Sequence, residues 1–142
     1  ITAVFPPEPV VSANLSYDIA CKLTERYIIT VISPKPSRPF GFKFTGETLH
    51  FNFKHIQAGS FVYPSAGIGG RLKESYSFGK YSYNYIADNH QNIDAIYVNT
   101  WPLFGQYFAV KAARKFRLSI VHHVQDIYTE SLSKKMHLIS SF

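Results

Sequence analysis

The 142-residue sequence predicts an α/β domain built on a mainly parallel sheet with helices against both faces. Three observations predict it. Short β-branched runs alternate along the chain with stretches of helical periodicity, the pattern of a layered α/β domain. The first strand–helix–strand passage is complete by Ser33, the length of one crossover unit, and such crossovers join parallel strands. Hydrophobic residues make up 46% and charged residues 17%, a globular balance that can bury one core.

Taken in order, residues 1–5 form an apolar run stopped by Pro6 and Pro7, as in a buried strand ending in a loop. Ser12 is placed to cap the next helix, which ends near Arg26. Leu15, Ile19 and Leu23 recur at helical spacing and mark its apolar stripe. Residues 27–33 (YIITVIS) form the second strand, closed by Pro34, and residues 35–41 are a proline-punctuated loop. The aromatic, partly alternating stretch 42–63 predicts one or two further strands, and 64–70 a flexible glycine-rich loop. A helix is expected over 72–90, although Ser, Gly and aromatic residues weaken it. A strand follows over 93–99, and Pro102 opens a helix running to about Phe116. Residues 118–125 read as a buried strand, and a loop and helix begin at 126–133.

Ligands of parallel sheets bind beyond the carboxyl ends of the strands. Residues 5–12, 99–101 and 125–130 fall at those ends and nominate a site. The first of them (FPPEPVVSA, 5–13) could offer backbone N–H groups and a helix N-terminus to an anion. It could equally be a rigid connection set by Pro6, Pro7 and Pro9. It contains no glycine and is not a dinucleotide fingerprint. Carboxylates just past a strand, as in QDIYTE (125–130), can orient a sugar hydroxyl or accept its proton. Asp126 could also cap the last helix, and Glu130 could lie on a solvated face.

His122 and His123 point to opposite faces of a strand, cannot ligate one metal, and read as core or rim residues. Gly67, Gly69 and Gly70 precede Arg71 and Lys73 without the Walker spacing. They read as a mobile loop that, with its basic neighbours, could fold over an anionic acceptor. Lys111, Arg114, Lys115 and Arg117 form a basic helix face, either solvated or drawn to anionic lipid headgroups. The net charge is +6, but no RNP, KH or zinc pattern accompanies it, and no nucleic acid is expected as a partner. The single cysteine, Cys21, excludes an internal disulfide, fits a reducing cytoplasm, and reads as a small buried helix residue. Aromatics reach 16%, enough to expose a sticky surface to a ligand, lipid or partner domain. The charge-free stretch 95–110 is too short and polar to span a bilayer. No signal-peptide pattern opens the sequence, which starts mid-strand at Ile1 without a Met.

In sequence order, FPPEPVVSANLSYDIACKLTERYIITVISPKPSRPFG resembles the opening βαβ of retaining family-four glycosyltransferases of the GT-B fold. IDAIYVNTWPLFGQYFAVKAARKF and LSIVHHVQDIYTES resemble the later strand–helix–strand of the same N-terminal domain. The most specific pieces are PPEP, ISPKPSRP and QDIYTES, and the nearest likeness is to bacterial enzymes that build capsule, O-antigen or exopolysaccharide. The resemblance implies that residues 1–142 are a three-layer αβα Rossmann-like domain, the acceptor-side half of a sugar-transferring enzyme. The donor-binding C-terminal domain, absent from this chain, would bind the nucleotide sugar and carry a paired-glutamate motif. The domain itself would need no cofactor and would transfer no sugar alone.

By resemblance and strand-end position, Asp126 is the candidate catalytic, cleft-lining residue. Glu8, Ser12, Arg38, Trp101, Gln125 and Glu130 are candidate acceptor-binding residues. Two departures limit the transfer of roles. Pro9, Val10 and Val11 replace loop glycines that many relatives place near the donor phosphates, and Gln125 stands where many have a histidine. A glutamine cannot serve as a base. The partners implied are the chain's own donor domain, a saccharide or lipid-linked acceptor and an anionic membrane surface. The location implied is cytoplasmic and peripheral to the inner face of the membrane. The alternative is a free-standing Rossmann-like binding module without catalysis. A second βαβ pattern in the parent reading frame, with its glutamate pair, would favour the enzyme.

Overall fold

The computed structural model describes residues 1–37, 39, 42, 44, 51–63, 67–99 and 103–124. It is an α/β structure with short parallel sheets and three α-helices. The elements are α1 (Val11–Leu23), β1 (Thr30–Pro34), β2 (Lys54–Ala58), α2 (Ile68–Asn89), a 3-10 turn (His90–Asn92), β3 (Ala95–Asn99), α3 (Leu103–Phe116) and β4 (Ser119–His123). β1 pairs in parallel with β2, Val31 opposite His55, and β3 pairs in parallel with β4, Val98 opposite His122.

The opening segment bonds to both strand pairs. Ile1 N donates to Tyr97 O and Asn99 N donates to Ile1 O, the reciprocal pattern of a parallel pairing with β3. On its other edge Thr2 N donates to Ile32 O of β1. The bond that would complete that pairing needs an N–H at residue 34, and Pro34 has none. The strand expected over residues 1–5 is therefore present as a bonded segment between β1 and β3, joined to β1 on one side only.

Successive residues of β1 face different helices. Val31 packs with Phe5 and Ala20 of α1, whereas Ile32 packs with Ala58 and Phe78 of α2. The largest apolar cluster joins Ile86 of α2, Ile96 and Val98 of β3, and Ala109, Ala112 and Ala113 of α3. Burying a side chain such as Ile86 or Phe78 fully contributes about 1.5–3 kcal/mol each.

Several local expectations are corrected. Ser12 does not cap α1. The cap position is Val10, which makes no side-chain bond, and Ser12 lies in the first turn. The core-facing stripe of α1 is Ala13, Ser16 and Ala20 rather than Leu15, Ile19 and Leu23, and Leu15 is 40% exposed. Small side chains bring the helix close to the sheet, and the larger residues ride on its flanks. Tyr27 and Ile28 precede β1 and are exposed. Of the one or two strands expected over 42–63, β2 is the one among the described residues.

Gly69 and Gly70 belong to the first turn of α2 instead of a loop. A Cβ on Gly70 would stand 2.3 Å from the Tyr63 ring, so glycine lets that ring lie against the helix start. Gly79, mid-helix, has the same kind of role on a larger scale. A Cβ there would meet Phe104 O at 2.6 Å and the Phe108 ring at 2.7 Å, so α2 and α3 touch through it. β4, expected to be buried, is mostly exposed: it has one strand neighbour among the described residues, and Val121 is 54% exposed. Among the described residues no helix is long and apolar enough to cross a membrane.

Candidate functional site

The loop after the opening segment, the loop after β1 and the end of β3 meet over the N-terminal half of α1. Three polar contacts fix them. The first is a clamp between loops: Glu8 is 4% exposed, and its Oε1 accepts a 2.7 Å hydrogen bond from Ser37 N. Pro6, Pro7 and Pro9 restrict the chain on either side of that carboxylate. The two prolines around Ser37, Pro36 and Pro39, do the same on the loop after β1.

The second contact lies one layer deeper. Ser33 Oγ, 2% exposed, and His55 Nε2 are 2.9 Å apart across the β1–β2 pair. The parallel register puts Val31 opposite His55, so Ser33 and His55 share a face as diagonal neighbours. Phe5 and Phe51 pack against the imidazole at centroid distances of 4.7 and 5.1 Å. Burial lowers the His55 pKa from its ordinary value, because the charged form is the one that loses water. His55 is therefore neutral at pH 7, and one of the Ser33–His55 pair donates to the other.

The third contact is a buried polar knot. Asn99 Nδ2 donates to both Thr2 Oγ1 and Ser16 Oγ at 3.0 Å, and those two hydroxyls are 3.0 Å apart. Thr2 Oγ1 donates to Val4 O and Ser16 Oγ to Ser12 O, and the bond from Asn99 to Ser16 ties α1 to the end of β3. Asn99 Oδ1 is buried and accepts no bond among the described residues. Gln106 Nε2 of α3 reaches Asn99 O at 3.4 Å, so the end of β3 is also linked to the following helix.

Of the sequence-nominated residues, Glu8 and Ser12 take part in these contacts. Glu8 clamps the two loops together, and Ser12 contributes its backbone carbonyl to the knot. Arg38, Trp101, Gln125, Asp126 and Glu130 lie outside the described residues. Residues that sequence reasoning passed over are Thr2, Ser16, Ser33 and His55. Their signal is register-dependent, since nothing in the linear order brings Ser33 to His55 or Thr2 to Ser16. Asn99 did fall in a nominated strand-end stretch. His122 and His123 are rim residues, exposed and half-buried, with His123 beside the Tyr97 ring at 5.9 Å. Cys21 is half-buried on α1, not fully buried. Among the described residues no cluster of three metal-ligating side chains occurs.

Chemically, a carboxylate, hydroxyls, an imidazole and an amide lie buried at these strand ends and bond chiefly to one another, fixing the loops that leave the strands. Comparison with family models, with curated proteins and with solved structures finds no match to this chain.

Proposed function

We propose that this chain is the acceptor-binding half of a retaining glycosyltransferase. Its parent enzyme transfers a sugar from a nucleotide sugar to a polysaccharide or lipid-linked acceptor. The observation that carries the reading is the Glu8–Ser37 clamp. It joins PPEP to ISPKPSRP, the two N-terminal motifs on which the family resemblance rests, at the carboxyl end of the parallel strands, where such sheets bind ligands. The backbone bonds of Ile1 and Thr2 support a finer architecture, one parallel sheet in the order β2–β1–opening segment–β3–β4. In it α1 lies on one face and α2 and α3 on the other, as in a three-layer αβα Rossmann-like domain.

In this reading the crevice grips the acceptor, holds its hydroxyl in place and excludes water, and the donor domain supplies the nucleotide sugar. Glu8 is a positioning residue that holds the two loops at one separation. Asp126, just beyond β4, is the candidate that orients or deprotonates the acceptor hydroxyl. Nucleotide release by the intact protein, offered uridine-, guanosine- and thymidine-diphosphate sugars with a lipid-linked acceptor, tests the proposal. Asp126→Ala should lower turnover by a factor on the order of a hundred, the scale of a lost general base. Wild-type turnover in that variant would remove the site assignment. Absence of sugar transfer from every donor in the intact protein would remove the activity.

A further inference from the structure

We draw no further inference here: the strongest candidate, the open groove at the amino ends of β1 and β2 between residues 27–30 and 51–54, is an apolar face with Ile28 fully exposed, and nothing in the structure shows what covers it.

Discussion

The two halves of the molecule are held together by different chemistry. Around β3, α3 and β4 the interior is aliphatic and small: Ile86, Ile96 and Val98 against Ala109, Ala112 and Ala113. Around β1 and β2 it is aromatic and polar. Phe5, Tyr17, Phe51, Phe53 and His55 form one ring cluster, with centroids from 4.7 to 6.3 Å apart, and the Ser33–His55 and Glu8–Ser37 bonds run beside it. Alanines let a helix sit close to a strand and carry no hydrogen-bonding obligation, so the first half is a scaffold. Buried hydroxyls, carboxylate and imidazole each need a partner in a set direction, so the second half fixes the geometry of the loops that leave the strands. Substitutions should then act differently in the two halves: through volume in the first and through direction in the second.

The largest effect belongs to the aliphatic half. Ile86 is 2% exposed at the centre of its cluster, and Ile86→Ala should lower stability by about 2–5 kcal/mol, read as the loss in a urea titration. A loss under about 1 kcal/mol, less than the transfer term alone, would mean that this core is loosely packed. Next comes Gly79→Val. The added side chain drives into the Phe104 carbonyl, a backbone atom that cannot rotate away, and should cost about 1–3 kcal/mol. An unchanged urea midpoint in that variant would show that α2 and α3 do not touch there.

In the polar half, Glu8→Ala removes the acceptor of a charge-assisted bond and should cost about 1.5–3 kcal/mol. Glu8→Gln keeps an acceptor oxygen and should recover most of it. The comparison between the two variants carries the test, because equal losses would mean that a neutral acceptor oxygen does not hold the Ser37 loop. If the proposed sugar transfer holds, Glu8→Gln should retain it in the intact protein, since Glu8 positions the loops.

The same contrast explains what was legible in the sequence. Element order was legible, because strand and helix periods differ and the prolines and caps bound them. The interior of the aliphatic half was not read correctly at its edges. β4 looked buried because LSIVHHV is apolar, yet with one strand neighbour among the described residues it leaves most of them open. On α1, Leu15 outweighed Ala13 and Ser16 on any hydrophobicity scale, whereas close packing on a sheet selects the small residues. Gly69 and Gly70 read as breakers, whereas glycine at 70 makes room for the Tyr63 ring, whose position no linear pattern gives. Glu8 and Ser12, nominated from topology, lie just before α1 and in its first turn. Ser33 and His55 required the register of two strands separated by a long loop. The remaining nominated residues, Asp126 among them, lie outside the described part of the chain.

A smaller effect follows from His55. Burial holds its folded pKa below the ordinary value, so at mildly acidic pH the unfolded chain binds a proton that the folded one resists. With more protons on the unfolded state, stability rises with pH. The contribution is absent above the ordinary histidine pKa and becomes a growing penalty as pH falls below it. The urea midpoint of the wild type should therefore fall between neutral and mildly acidic pH by more than that of His55→Phe. Parallel pH profiles for the two proteins would remove His55 as the cause.

The smallest expected change is a gain, and it lies at the exit of the aliphatic half. α3 ends with Leu118 N donating to Ala113 O at 2.9 Å, while Arg117 sits at φ 55. This is the reversed turn that closes many helices, and its left-handed position is usually a glycine because a Cβ there crowds the following carbonyl. Arg117 is exposed and makes no ion pair among the described residues, so its side chain contributes little to hold the turn. Arg117→Gly should therefore raise stability by about 0.5–1 kcal/mol, the strain relieved less the added freedom of glycine when unfolded. Arg117→Ala separates the two terms, since it removes the charge and keeps the Cβ. If alanine stabilises as much as glycine, the strain lies in the basic cluster around Lys115 and not in the backbone. If glycine alone stabilises, the α3 exit is a strained turn in a scaffold otherwise governed by volume.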